Sequence, residues 1–195
     1  MAATSSRQLK NICVLSKFRY GKYKEFVQAA IDLGRAIAKR KLHLVYGGGD
    51  RWLSKLVSEA VFVRRSQVLS IFPKALKLLG CLPNPQNGKE LVVSNMQERI
   101  SKMLNHADAF IFLPRDLATL EVVITFSSWA YLNIHKKLIG LLNLNNFYTG
   151  LITFLNHAIK NYFIPPSAKK TLYLCSLLLT SYLIFCKLTN QSQIP

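Results

Sequence analysis

The sequence predicts an α/β fold in which a parallel sheet carries helices on both faces. Short, nearly continuous apolar runs alternate along the chain with longer segments in which apolar residues recur every three or four positions. The runs are typical of strands buried on both faces, and the recurring positions are typical of amphipathic helices. A chain of 195 residues is long enough for one such domain and short for two. We therefore predict a single Rossmann-like, doubly wound domain.

Five apolar runs are predicted to be strands. Several of these runs are followed by a residue that ends a strand or begins a turn. Gly47 follows the second run, and Pro73 follows the third. The predicted strands cover residues 11–15, 42–46, 68–72, 109–113 and 138–142.

Five intervening segments are predicted to be helices. In the first, Phe26, Ala29, Ala30, Leu33 and Ile37 recur at a spacing that places them on one helix face. Residues 81–89 hold two prolines, two asparagines and a glycine, so we predict a loop there. The predicted helices cover residues 22–38, 53–62, 93–105, 119–132 and 147–162.

The charge of the chain is strongly positive, with 26 Lys and Arg against 9 Asp and Glu and a net charge of +17. Such a surface attracts phosphorylated ligands or nucleic acid, although solubility alone explains the excess equally well. The hydrophobic content of 50% excludes disorder as a description of the whole chain. The four cysteines lie far apart without metal-ligand spacing, so we expect neither a metal site nor a disulfide framework.

The two ends of the chain differ from the predicted domain, which spans residues 11–168. Residues 1–10 are polar and lack the apolar segment of a secretory signal, so we expect a flexible tail and a cytoplasmic protein. The basic run Lys39-Arg40-Lys41 suggests the nucleus as a second location, because such runs can be nuclear localisation signals. Cations at the end of a helix also complement its dipole, which is an alternative explanation. Residues 169–195 form a divergent apolar tail, whose sixteen uncharged residues 171–186 are fewer than the roughly 20 that a membrane span requires.

Ligands of doubly wound sheets bind at the carboxyl ends of the strands. Ser16, the glycines 47–49, Pro73 and the segment 114–119 all follow predicted strands, so we expect them to meet in one crevice. The three consecutive glycines would let backbone amides approach a phosphate, and a tight structural turn is an equally good interpretation.

Five sequence pieces occur in an order that resembles one known family. They are Leu44-Val45-Tyr46-Gly47-Gly48-Gly49, Ile71-Phe72-Pro73-Lys74, Met96-x-x-Arg99-x-x-x-Met103, the segment 114–121, and Trp129-Ala130-x-Leu132-x-Ile134-His135-x-Lys137. Over about residues 12–168 the chain is similar to the LONELY GUY family, the cytokinin-activating phosphoribohydrolases once misnamed lysine decarboxylases. The resemblance implies a Rossmann-like homodimer that hydrolyses the N-glycosidic bond of cytokinin riboside 5'-monophosphates without a cofactor.

The resemblance also implies which residues form the site. The family's chemistry needs a cationic group that holds the nucleotide and a carboxylate beside the anomeric carbon, where positive charge develops. The arginine of the family's helix motif corresponds to Arg99, to which we assign the catalytic role. The substrate-binding residues that the resemblance implies are Gly47, Gly48, Gly49, Arg99, Thr119, Glu121 and Ser128.

The chain departs from the family at the motif Pro-Gly-Gly-x-Gly-Thr-x-x-Glu, and therefore resembles a degenerate member. Its three glycine positions hold Arg115, Asp116 and Ala118, and the position of the catalytic glutamate holds Val122. Glu121 is one residue away, which on a helix means a rotation of about 100° and a rise of about 1.5 Å, so it does not occupy the same place.

Three functions follow as alternatives. The first is the family's hydrolase, yielding free cytokinin base and ribose 5-phosphate with weak or impaired turnover. The second is an inactive relative that binds a nucleotide or pairs with an active subunit, and the third, less favoured, is a basic nucleic-acid-binding protein. Two residues also have structural interpretations, since Arg99 could be an exposed helix arginine and Thr119 a helix N-cap.

Overall fold

The computed structural model describes residues 9–16, 24–48, 53–78, 87–114, 116–166 and 172–175. Within these ranges the chain alternates between strands and helices, as the sequence predicts. In chain order the elements are β1 Asn11–Leu15, α1 Lys24–Lys39, β2 His43–Tyr46, α2 Leu53–Phe62, β3 Val68–Pro73, α3 Lys74–Leu78, β4 Lys89–Val93, α4 Met96–His106, β5 Ala109–Phe112, α5 Leu117–Tyr131, β6 Leu138–Leu142, α6 Thr149–Lys160 and β7 Leu172–Cys175.

The described strands form one parallel sheet in the order β4-β3-β2-β1-β5-β6-β7. The chain builds outward from β1 to one edge through β2, β3 and β4, and β5 then lies on the other side of β1. This reversal makes the space between β1 and β5 the topological switch point, where doubly wound sheets bind their ligands. The predicted α/β, Rossmann-like fold is confirmed.

One face of the sheet is covered by α1 and α2. Ala30 and Ile37 of α1 and Val57 of α2 are fully buried against this face. The two helices approach closely at Gly34, where an added methyl group would lie 2.7 Å from Cβ of Ala60 and 2.8 Å from the carbonyl oxygen of Val57. Any side chain at Gly34 would therefore force the two helices apart.

The opposite face is covered by α4, α5 and α6. Its centre is Phe126 of α5, whose ring centroid lies 4.4 Å from that of Phe110 and 6.0 Å from that of Trp129. Met103 of α4 is fully buried in the same apolar cluster. Helices on both faces explain why most of the strands are apolar along their whole length.

The sequence-based prediction misses α3 and β4. Residues 81–89 are predicted as a loop, whereas Lys89 is the first residue of β4. This strand lies at the edge of the sheet and exposes Lys89 and Glu90, so it lacks the apolar run by which buried strands are recognised. The following helix begins at Met96 rather than at residue 93, because the Asn95 side chain accepts a hydrogen bond from the Glu98 amide at 2.8 Å and caps it.

Part of the predicted C-terminal tail belongs to the sheet. Leu172 to Cys175 form β7, which lies parallel to β6. The two strands pair through Ile139↔Leu172 and the three residue pairs that follow it. Residues 169–171 and 176–195 of the tail, and the predicted N-terminal tail up to residue 8, lie outside the described residues. Among the helices that the structure describes, none is long and apolar enough to cross a membrane.

We predict that His135 makes the stability of the protein depend on pH. This side chain is buried after α5, where Nε2 donates to the carbonyl oxygen of Phe126 at 2.9 Å and Nδ1 accepts from the Lys137 amide. Burial lowers the pKa of His135 below its ordinary value, so as the pH falls the unfolded chain takes up the proton first. The stability that this neutral imidazole supplies is therefore present above about pH 6.5 and is lost as the pH falls through the lowered pKa.

Urea unfolding of His135→Gln and of the wild type between pH 8 and pH 5 checks this expectation. The variant should lose stability less steeply below about pH 6.5. A His157→Gln variant is the matched control, because His157 is exposed on α6, and it should follow the wild type. Equal slopes for all three proteins would contradict the assignment.

Candidate functional site

The carboxyl ends of β1, β2 and β5 bring several of the predicted site residues to one edge of the sheet. Ser16 follows β1, Gly47 follows β2, and Pro114 leads from β5 into α5. Arg99 reaches this edge from the first turn of α4. Gly49 and Arg115 lie outside the described residues.

Arg99 is buried, with 7% of its surface exposed. Its Nε donates a hydrogen bond to the carbonyl oxygen of Ile71 in β3 at 3.2 Å. Burial lowers the pKa of Arg99, because the charged guanidinium is removed from water. The interpretation of Arg99 as an ordinary exposed helix arginine is therefore wrong.

The positive charge of Arg99 has no carboxylate partner among the residues that the structure describes. A buried charge without a counter-ion is costly, and a bound anion would offset that cost. Arg99 therefore has the environment of a residue that binds an anionic ligand.

Gly47 makes room for the Arg99 side chain. A Cβ atom at Gly47 would lie 2.1 Å from Nη2 of Arg99 and 3.7 Å from Cε of Met103. The absence of a side chain at this position thus serves to seat the guanidinium. The next residue, Gly48, needs its glycine for conformation, because its φ of 72° lies in the left-handed region.

The first turn of α5 offers backbone N–H groups beside two unpaired hydroxyls. The helix is capped at Asp116, whose side chain makes no capping hydrogen bond. Thr119 is 1% exposed and Ser16 is 8% exposed, and neither hydroxyl oxygen has a hydrogen-bond partner in the described structure. Since the N-cap is Asp116, the interpretation of Thr119 as the N-cap is wrong, and its hydroxyl is buried without a hydrogen-bond partner among the described residues.

Arg99, the first turn of α5 and these two hydroxyls together form a candidate anion-binding crevice. The N-terminus of a helix attracts negative charge through its free N–H groups and its dipole. The sequence places Ser16 in the crevice but assigns it no role. A hydroxyl directly after a buried strand is the signal that could have identified it.

Val122 and Glu121 lie on different sides of α5. Val122 is 3% exposed and packs in the apolar cluster with Ile100 and Met103 of α4. Glu121 and Ser128 are exposed, and Glu121 forms no ion pair with Arg99. The structure therefore places an apolar side chain at the position of the family's glutamate, and it brings neither Glu121 nor Ser128 to Arg99.

Cys13 lies in β1 near Arg99, but its thiol is not a nucleophile. Burial raises the pKa of Cys13 to about 12, although the positive charges of Arg99 and Lys137 oppose the shift. Burial also raises the pKa of Tyr46 to about 12. Both groups stay protonated at neutral pH, so neither thiolate nor phenolate chemistry operates at this site. Within the described ranges, no group of three or more His, Cys, Asp or Glu side chains could hold a metal ion.

Comparison with known proteins shows where this chain is similar to others. A family model described as possible lysine decarboxylase matches residues 55–177. Cytokinin riboside 5'-monophosphate phosphoribohydrolase LOG7 of Arabidopsis thaliana is 39% identical over 174 residues, which cover 87% of this chain and 77% of that protein. The probable cytokinin riboside 5'-monophosphate phosphoribohydrolase LOGL6 of Oryza sativa subsp. japonica is 37% identical over 178 residues, which cover 89% of this chain and 69% of that protein.

Two solved structures share the fold. The molybdenum cofactor binding protein of Rippkaea orientalis has a TM-score of 0.69 at 17% identity and covers 94% of this chain and 99% of its own. The molybdenum cofactor carrier protein of Chlamydomonas reinhardtii has a TM-score of 0.66 at 11% identity. The match covers 93% of this chain and 98% of that protein's chain. At these identities the likeness shows the fold alone.

We predict that Gly47→Ala weakens anion binding at this crevice. The added methyl group would displace the Arg99 guanidinium, whose Nη2 lies 2.1 Å from the position of the new Cβ. We expect the affinity for inorganic phosphate, measured by equilibrium dialysis, to fall by about tenfold or more. Gly150→Ala is the matched control, because an added Cβ there has no neighbour within 4 Å. Unchanged phosphate affinity in Gly47→Ala, with a normal unfolding transition, would refute the role of Gly47.

Proposed function

This chain belongs to the LONELY GUY family, and from this premise we propose that it binds cytokinin riboside 5'-monophosphates and hydrolyses their N-glycosidic bond slowly. The products would be the free cytokinin base and ribose 5-phosphate. The relatives carry this activity in their names, and this chain covers 77% of the Arabidopsis thaliana LOG7 protein. The proposal has two parts, retained nucleotide binding and impaired bond cleavage.

Retained binding is supported by the buried Arg99. Its guanidinium lies against Gly47 and has no carboxylate partner among the described residues. The hydroxyls of Ser16 and Thr119, which are buried without hydrogen-bond partners in the described part of the chain, add donors near the first turn of α5. This combination suits the phosphate of a nucleotide, and the unpaired charge of Arg99 is the observation that carries the proposal.

Impaired cleavage is supported by Val122. Positive charge develops at the anomeric carbon as the base leaves, and a nearby carboxylate stabilises that charge. In this chain the family's glutamate position is occupied by Val122, which is buried in an apolar cluster. Glu121 is exposed on another side of α5 and does not supply the missing charge. Attack by water would then proceed without that stabilisation.

A second candidate function is nucleotide binding without turnover, alone or as the partner of an active subunit. The same two observations favour it. The buried Arg99 suits an anion, and the position of the family's carboxylate holds Val122. The assay below separates the two functions, since only the first releases free base.

Assembly into a homodimer is part of the proposal. Leu117, Ile124 and Tyr131 recur every seven residues on α5 and are 82%, 46% and 47% exposed. Residues at this spacing lie on nearly one line of a helix, so they form an apolar stripe. Glu121 and Ser128 are also exposed on this helix, and a second subunit packed here would cover the stripe.

We predict slow release of base by the wild-type protein. Incubation with isopentenyladenosine 5'-monophosphate, followed by chromatography, should show free isopentenyladenine at a rate about 10²- to 10⁴-fold below that of the Arabidopsis thaliana LOG7 protein. No release at high protein concentration, together with measurable nucleotide binding, would replace the hydrolase with the second candidate. Loss of binding as well would overturn both.

We predict that restoring the family's motif raises the rate of hydrolysis. The variant Arg115→Gly, Asp116→Gly, Ala118→Gly and Val122→Glu returns the missing carboxylate and glycines, and we expect turnover to rise by at least about tenfold. The control replaces Val122 with Gln in the same background, which has the length of glutamate without its charge. If glutamate and glutamine variants are equally slow while both bind nucleotide, the loss of the carboxylate does not explain the low activity.

We predict that the protein is a dimer that a charge on α5 disrupts. Sedimentation should give about twice the chain mass of 22.1 kDa for the wild type and the chain mass for Ile124→Glu. Phe154→Glu is the matched control, because Phe154 is 65% exposed on α6, outside the stripe, and it should remain dimeric. A monomeric wild type would refute the proposed assembly, and dissociation of both variants would refute its location.

A further inference from the structure

A second cavity opens at the end of the sheet opposite the anion-binding crevice. Its volume is about 700 Å³, within the range of small-molecule sites. Asn11, His43, Val68 and Lys89, the first residues of β1, β2, β3 and β4, all line it. The amino ends of parallel strands lie on the side away from Arg99, so this amino-end cavity is separate from the proposed catalytic site.

The described lining of the amino-end cavity contains basic side chains and no acidic ones. Arg65 and Lys89 supply two cations, and His43 and His106 supply two imidazoles. Neither Arg65 nor Lys89 forms an ion pair with another described residue. Positive groups around a concave, partly apolar surface favour an anionic ligand.

The described carboxylates near this cavity are already engaged. Glu90 forms an ion pair with Lys77 at 3.1 Å. Asp108 accepts hydrogen bonds from the backbone amides of Lys10 and Asn11 at 2.9 and 2.8 Å. Neither of these carboxylates forms an ion pair with Arg65 or Lys89.

Arg65 is held at the cavity by an unfavourable backbone conformation. Its φ of 60° lies in the left-handed region, which residues with a Cβ rarely adopt. Its amide donates to the carbonyl oxygen of Phe62 at 2.8 Å, which closes the turn after α2. The same hydrogen-bond pattern ends α1 at Lys41, so this conformation is that of an ordinary helix C-terminus, and it fixes the position of Arg65 at the cavity.

The rest of the lining suits a flat aromatic group. Leu44, Val45 and Leu69 line the apolar part, and Phe62, which is 48% exposed, adds an aromatic ring. Planar groups stack on aromatic and imidazole rings. The side-chain amide of Gln67, also in the lining, can donate to and accept from the edge of a base.

We propose that the amino-end cavity is a second ligand site that binds a nucleoside phosphate. Arg65 and Lys89 contact the phosphate, and the rings of Phe62, His43 and His106 contact the base. A purely aliphatic anion would use the cations and the apolar residues but neither the rings nor the amide of Gln67. This site does not depend on hydrolysis at Arg99. The test of this site and the test of the proposed function can therefore fail independently of each other.

Equilibrium dialysis with adenosine 5'-monophosphate tests the proposal. The double variant Arg65→Asn and Lys89→Gln removes both cations, and asparagine tolerates the left-handed conformation at position 65. We expect the variant to bind one nucleotide fewer per chain than the wild type, with affinity at the cavity reduced by about tenfold for each cation removed. Arg99→Gln should lose the other nucleotide and retain the one in the cavity.

The control is Lys136→Gln with Lys160→Gln, which removes the same charge outside the cavity lining and should bind as the wild type does. If only one nucleotide binds and the cavity variant removes it, the cavity site is supported even though the crevice is empty. Identical binding by the wild type and the cavity variant would overturn the proposal. Tight binding of octyl phosphate, with no binding of adenosine 5'-monophosphate at the cavity, would also overturn it.

Discussion

The carboxyl-end crevice depends on the burial of one positive charge. Arg99 is held by a hydrogen bond to a β3 carbonyl group and by the space that Gly47 leaves, and the structure describes no carboxylate that neutralises it. Desolvation of a guanidinium is unfavourable unless an anion joins it. The crevice therefore contains a buried charge that a bound anion would stabilise, which distinguishes it from a packed core that merely contains a polar residue.

The topology explains why this charge meets the other site residues. Because the strand order reverses beside β1, the ends of β1, β2 and β5 and the start of α5 surround one gap in the helical layers. The first turn of α5 and the buried hydroxyls of Ser16 and Thr119 lie at this end of the sheet. At the position of the family's glutamate stands Val122, which extends the apolar cluster. In the proposed function, binding and catalysis thus depend on different residues of adjoining elements.

Much of the fold could be predicted from the sequence, and the reasons for the failures are physical. The bounds of β1, α2 and β6 match the structure, because these elements have clear apolar patterns and distinct ends. The edge strand β4 has no such pattern, since three of its five residues are exposed. For the site, the position of Arg99 could be predicted, but its burial and its contact with Gly47 could not, because they depend on how α4 packs on β2 and β3.

The position of β7 at the edge of the sheet bears on how the chain folds during synthesis. β7 pairs with β6, and it is the last strand that the structure describes. A ribosome makes the chain from its N-terminus, so the nascent domain has its other strands before residues 172–175 emerge. Until then the unpaired edge of β6, which is almost entirely apolar, can pair with another nascent chain. Chaperones that shield apolar strand edges would therefore matter most for this protein in the last stage of its synthesis.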